Sequence, residues 1–177
     1  MTGAVAADLL TTVDEQRSEL RAATIDLRHE LIFVDPTLTN ADELVAGLLK
    51  SADSSRSLEV VMFDATKDGI TQITEVLAAH NGIDAVHLVT HGSESAIKLG
   101  STWLNAESLV SHAGDFAKWE LSLTSNADLL VYGCNLASSV IGQELMSSLA
   151  ALTGADVAAS NDPTGNSQLV LLSGLGS

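Results

Sequence analysis

At 177 residues the chain is the size of one domain, long enough to bury a real core and too short for two independent ones. Hydrophobic residues make up 46% of it, with glycine and proline scattered, which excludes a low-complexity or disordered tract. The formal net charge of −15, from 23 acidic against 8 basic residues, argues against nucleic acid and anionic lipid as partners, because both need positive charge to displace counterions.

In chain order, residues 4–29 carry Val5, Leu9, Leu10, Val13, Leu20 and Ile25 among acids and arginines, the pattern of an amphipathic helical arm over residues 1–29. This segment lacks the basic region and apolar core of a secretory signal. No stretch of the chain reaches the ~20 apolar residues that span a bilayer, so no membrane insertion is expected. From residue 30 the pattern changes to short apolar runs: "ELIFVDP", "SLEVVMFDAT", "AVHLVTHG", "DLLVYGCN" and "ADVAASND". These read as five buried strands. Helical patterns fall between them in "NADELVAGLLKSA", "DGITQITEVLAAHNG" and "SSVIGQELMSSLAALTG", with a small hairpin around Gly100 and a longer helix from Asn105 to about Leu121. Such alternation predicts an α/β domain over residues 30–177: a three-layer sandwich around a mostly parallel, doubly wound sheet of about five to six strands.

In an open parallel sheet the ligand crevice lies beyond the carboxyl ends of the strands. Those ends are Asp35, Asp64, His91, Cys134, and Asn161 with Asp162. A thiol attacks carbonyl carbon as thiolate, and a neighbouring imidazole supplies the base or the compensating charge. Cys134 and His91 on adjacent strand ends would meet that need, and backbone N–H groups of Gly92 and Cys134 could face a developing oxyanion. A free cysteine is also a common small hydrophobe of protein cores, and a His-Gly pair can simply close a strand.

His87 and His91 are four residues apart, which on a strand spans about 13 Å, so the two cannot grip one ion and no metal is expected. His87 is read as a packed or hydrogen-bonded histidine. His29, His80 and His112 are assigned no role. The acidic loops 35–43 and 160–166 are oxygen-rich enough to suggest Ca²⁺, but neither has the order of an EF-hand loop. Asx-type turns account for them, and no cofactor is expected.

A strand ending in "THG" and another ending in "GC", within a five-stranded α/β frame, resemble the caspase-type cysteine peptidases of clan CD, among them caspases, gingipains, clostripain, legumain and separase. Over nearly all of residues 30–165, the stretches "ELIFVDP", "DGITQITEVLA", "HLVTHGS", "IKLGSTWLN", "DLLVYGCNLA" and "LTGADVAASNDPTGN" are similar to a bacterial domain of unknown function. That domain lies near the N-terminus of very large surface and secreted proteins, ahead of cadherin-like or calcium-binding repeats. The resemblance implies a caspase-like fold, an extracellular or cell-surface setting, and a polypeptide substrate or the protein's own parent chain as partner.

The expectation is therefore a cysteine endopeptidase or self-processing domain. Cys134 is the nucleophile, His91 the base, and Gly92 a backbone oxyanion donor. Asp35, on the strand next to His91 in the order 2-1-3-4, would orient the imidazole, and it would otherwise cap the turn before Pro36. Asp64 or Asp162 would line an acidic pocket for Arg or Lys. The contrasting expectation is a catalytically silent structural or interaction module of an adhesin-like surface protein.

Overall fold

The apolar runs become the strands of one sheet in a computed structural model that describes residues 27–132, 135–160 and 169–172. The strands are β1 (Arg28–Val34), β2 (Arg56–Met62), β3 (Ile83–Val89), β4 (Ile97–Leu99), β5 (Thr102–Leu104), β6 (Leu123–Tyr132), β7 (Asp156–Ser160) and β8 (Leu169–Leu172). The sheet runs β2-β1-β3-β6-β7-β8, while β4 and β5 pair separately as a hairpin. Its first five strands are parallel, and β8 closes the far edge antiparallel to β7. From Glu30 onward β1 is buried, as is β3 apart from half-buried Asp84, which is why both read as unbroken apolar runs: strands of a parallel sheet are covered on both faces.

The helices are α1 (Ala41–Ser51), α2 (Gly69–Ala78), α3 (Ala106–Ser111), α4 (Ala113–Ser122) and α5 (Val140–Thr153). One face of the sheet, with Leu31, Phe33, Val86, Leu88, Leu129 and Val131, packs against Ile70, Ile73 and Leu77 of α2, Phe116 and Trp119 of α4, and Leu145 and Leu149 of α5. The opposite face offers Ile32, Val34 and Val89 to Ala41, Leu44, Val45 and Leu48 of α1. The β1 to β2 step runs one way along the sheet and the later steps run the other way. Crossovers of a single hand then put α1 on one face and α2, α4 and α5 on the other. The result is the expected three-layer, doubly wound α/β sandwich. The sequence-defined arm falls on residues 1–29, of which 1–26 lie outside the described residues; β1 itself begins at Arg28.

Two local differences from the sequence reading have physical causes. The helix expected from Asn105 to about Leu121 is two helices that break at His112, whose ring is held by Asp115 Oδ2 at 3.1 Å. Gly114, two residues on, adds a poor helix former at the same place. Residues 123–127, "LTSNA", extend β6 toward its N-terminus: only Ser125 and Asn126 are exposed, and the pairing with β3 is irregular between Ile83 and Ala85, which breaks the apolar alternation that marks a strand in the sequence.

The hairpin is fixed to α2 by close backbone contact. Gly100, with φ of +58°, makes the tight turn and bridges to Asp68, and a Cβ on Gly69 would lie 2.3 Å from the Leu99 carbonyl carbon. Ile97, Leu99 and Leu104 are thereby driven into the core. Gly69→Ala should cost about 1–3 kcal/mol by overpacking, read as a lower urea midpoint at unchanged slope. A midpoint equal to wild type would show that the hairpin is not seated on α2.

Candidate functional site

Strand order reverses between β1 and β3, the position where open α/β sheets place their ligand crevice. β3 continues this edge into β6. The two pair in register from Ala85↔Asp128 to Val89↔Tyr132, and Thr90 N donates to Tyr132 O at 3.2 Å. His91 is two residues beyond Val89 in the chain and Cys134 two residues beyond Tyr132. Gly133 and Cys134 lie outside the described residues.

The segments after the two strands are tied together. Ser139, the N-cap of α5, donates its hydroxyl to Glu94 O in the loop after β3. Gly142 sits so tightly in this joint that a Cβ would lie 1.9 Å from Leu136 O and 2.7 Å from Glu94 O. On its other side the His91 loop is laced to the hairpin: Lys98 N donates to His91 O at 2.8 Å, and Ser93 N donates to Ala96 O at 2.8 Å. These bonds flank the Gly92↔Ile97 bridge and leave the Gly92 N–H with no acceptor among the described residues. The half-buried His91 ring likewise makes no hydrogen bond among them.

Asp35 ends β1 beside this loop, with its backbone N–H on Val89 O at 2.9 Å. It is 1% exposed. Its Oδ1 accepts from Thr37 N at 2.9 Å and Thr37 Oγ1 at 2.7 Å, the Asx turn anticipated for this acidic loop. Its Oδ2 is buried with no partner among the described residues. The strand register sets Asp35 opposite Thr90, and no hydrogen bond joins it to His91. Asp64 ends the edge strand β2, two strand spacings or about 10 Å from β3. Its carboxylate is held below the usual range by the Thr66 hydroxyl and N–H, and it pairs with Lys67 at 3.3 Å. Asp162 lies outside the described residues.

On the α1 face, sequence reasoning found one member of a larger assembly. His87 is buried as a hydrogen-bonded histidine, with Nε2 on Glu30 Oε2 at 2.7 Å and Nδ1 on the Tyr132 hydroxyl at 3.1 Å. Glu30 is itself buried, and its four acceptor positions are filled. Oε1 takes Arg28 Nε at 2.9 Å and Arg56 Nε at 2.8 Å, while Oε2 takes Arg56 Nη2 at 2.6 Å and His87. Arg28 also pairs with Asp128. Burial opposes the Glu30 charge, but hydrogen bonds from Arg56 and His87 overcome it and hold the carboxyl at about 2. Burial lowers the His87 pKa against the pull of Glu30, so the ring is neutral. It also pushes the Tyr132 phenol up to about 12. The available signal was a charged Glu30 two residues before "IFV", in phase with His87 and Asp128 on the neighbouring strands. Two of the other unassigned histidines also have partners: His80 bonds Val76 O at 2.7 Å and Glu59 Oε2 at 3.0 Å, and His112 bonds Asp115.

Among the described residues no group of three or more His, Cys, Asp or Glu side chains could hold a metal ion, and no helix is long and apolar enough to cross a membrane. Fold and edge thus define a doubly wound α/β domain with a histidine-bearing loop at its switch point. The chain belongs to the family described as Domain of unknown function (DUF4347), whose model matches residues 31–170, from β1 into β8. No curated protein and no solved structure matches it.

Acid should weaken the Glu30 assembly in two stages of the same sign. The unfolded imidazole takes a proton as pH falls below 6.5 while buried His87, its pKa lowered, resists. The unfolded carboxyl then takes one below 4.5 while Glu30 stays ionised down to about 2. The Glu30 part is worth about 3 kcal/mol, present above pH 4.5 and lost by about pH 2. Urea titrations should therefore show the stability gap between wild type and Glu30→Gln narrowing over that window, and a gap independent of pH would refute the assignment.

Proposed function

We propose that this domain is a cysteine endopeptidase or self-processing domain of caspase-like kind, carried by a large bacterial surface or secreted protein. Its substrate is a polypeptide, the parent chain included. The observation that carries the reading is the in-register pairing of Val89 with Tyr132, which brings the strand ends leading to His91 and Cys134 side by side at the carboxyl edge. The Gly92 N–H beside His91, with no acceptor among the described residues, adds to it.

In this reading His91 takes the Cys134 proton and the thiolate attacks the scissile carbonyl carbon. The N–H groups of Gly92 and Cys134 receive the oxyanion. His91 then protonates the departing amine, leaving a thioester. A water molecule deprotonated by His91 hydrolyses that thioester and regenerates the thiol. Asp35, whose Oδ2 has no partner among the described residues, would orient His91 from the neighbouring strand end, and an acidic pocket from Asp64 or Asp162 would select Arg or Lys.

Peptidyl acyloxymethyl ketones should form an adduct on Cys134 that His91→Ala abolishes, read by intact mass. Absence of adduct across varied peptides would make the domain a silent module of its parent protein.

Asp35→Asn retains a carbonyl for the Thr37 turn while removing the charge, and should slow this labelling at least about tenfold, ~1.4 kcal/mol of barrier. An unchanged rate in a folded variant removes Asp35 from the site.

A further inference from the structure

We propose that β2 is the docking edge for a second copy of this chain, whose own β2 adds to it antiparallel about a two-fold axis at Val60 and makes one sheet of the two. The inference does not depend on the peptidase reading. The run "LEVVM" has the composition of a strand covered on both faces, but β2 lies at the end of the sheet, with Val60 40% and Met62 55% exposed. Edge strands ordinarily carry proline, lysine or a bulge that discourages further pairing. β2 carries none of these, and its register with β1 is unbroken from Arg28↔Arg56 to Val34↔Met62. Its one acid, Glu59, is held by His80 Nε2 at 3.0 Å.

The backbone determines where a partner fits. Ser55 O accepts from Arg28 N at 2.8 Å and Phe63 N donates to Val34 O at 2.9 Å, so the odd-numbered residues of β2 turn their polar groups toward β1 and the even-numbered ones turn theirs outward. At one end of the edge Arg56 N is taken by Asp53 O at 3.2 Å. At the other, the Gln72 amide caps Asp64, accepting from its N–H at 2.8 Å and donating to its carbonyl at 3.0 Å. Between these closed ends, the outward N–H and C=O groups of Leu58, Val60 and Met62 have no partner among the described residues. That open span is symmetric about Val60. An antiparallel copy centred there pairs Val60 with Val60 of the second copy and Leu58 with Met62, each pair exchanging both bonds, so that every open group is used. The side chains select the same register. Arg56, Leu58, Val60, Met62 and, in phase beyond the strand, Asp64 run as a cation, three apolar residues and an anion. Reversed on the second copy, this row sets apolar against apolar and Arg56 against Asp64, both partly exposed. Centring on Glu59 would oppose two glutamates, and centring on Val61 would oppose Leu58 to Asp64.

Sedimentation equilibrium of the full chain should show a concentration-dependent monomer–dimer equilibrium, weak because a seam of one short strand per copy is at the small end of specific interfaces. Val60→Lys, at an exposed position, should weaken the association at least about tenfold by opposing two ammonium groups at the axis and removing an apolar contact. Cysteine cross-linking then reads the register, in a Cys134→Ser background that removes the native thiol. Val60→Cys should oxidise to a covalent dimer, since residues paired at the axis have Cα atoms about 5.5 Å apart, within disulfide range. Leu58→Cys should not, because its own counterpart lies four residues along the strand, about 13 Å away. A chain that stays monomeric up to about 1 mM overturns the proposal and leaves the edge to an extended segment of another protein. A dimer untouched by Val60→Lys overturns it by placing the interface elsewhere, and cross-linking of Leu58→Cys as readily as Val60→Cys overturns the register. If Val60→Lys does not fold, the two cysteine variants decide the question.

Discussion

Everything at the carboxyl edge depends on the central strand β3 lying in parallel register between β1 and β6. Five consecutive residues of β3, Ala85 to Val89, pair with Glu30 to Val34 on one side and with Asp128 to Tyr132 on the other. Because side chains alternate with a period of two, this register sends Val86 and Leu88 to the three-helix face and His87 and Val89 to the α1 face. A slip of one residue would drive His87 into the apolar cluster around Phe116 and Trp119 and would separate Glu30 from its partners. The hydrophobic face and the buried ion assembly therefore enforce the same register. That agreement fixes which strand ends meet at the edge.

The strands were legible because burial on both faces leaves a continuous apolar run, a signal that survives without any alignment. Their order followed from helix alternation and handedness, and the 2-1-3-4 expectation corresponds to β2, β1, β3 and β6. The break at His112 was not legible, because it depends on a ring contact to Asp115 and on Asp68, which arrives from another element at 3.9 Å. Nor was Asp35 legible in full. The sequence "VDPT" shows a turn former, and Oδ1 does bind Thr37, but the burial of Oδ2 with no partner among the described residues is a property of the packed edge. The ion assembly was hidden for a related reason: Glu30 and Arg56 are 26 residues apart and Glu30 and His87 are 57 apart, so only register brings them together.

The same three strands thus carry two polar systems with different degrees of satisfaction. Toward their amino ends, Glu30 has four donors and His87 has both nitrogens occupied. That satisfaction offsets the burial of the Glu30 carboxylate, since each buried oxygen left unpaired costs more than a typical hydrogen bond returns. Toward their carboxyl ends, Asp35 Oδ2, the Gly92 N–H and the His91 ring have no partners among the described residues. The two systems thus differ in how fully the described residues satisfy them, the buried assembly completely and the switch-point edge only in part.

Charge balance explains how the two systems can share one sheet. Arg28 and Arg56 carry two positive charges, Glu30 and Asp128 carry two negative ones, and His87 is neutral, so the assembly has no net charge. An unbalanced carboxylate at Glu30, only two pleats from the edge, would oppose the formation of an anion there. With the assembly neutral, the field at the carboxyl edge is left to the edge's own groups. The chain can therefore be strongly acidic overall while the neighbourhood of His91 is governed by local contacts.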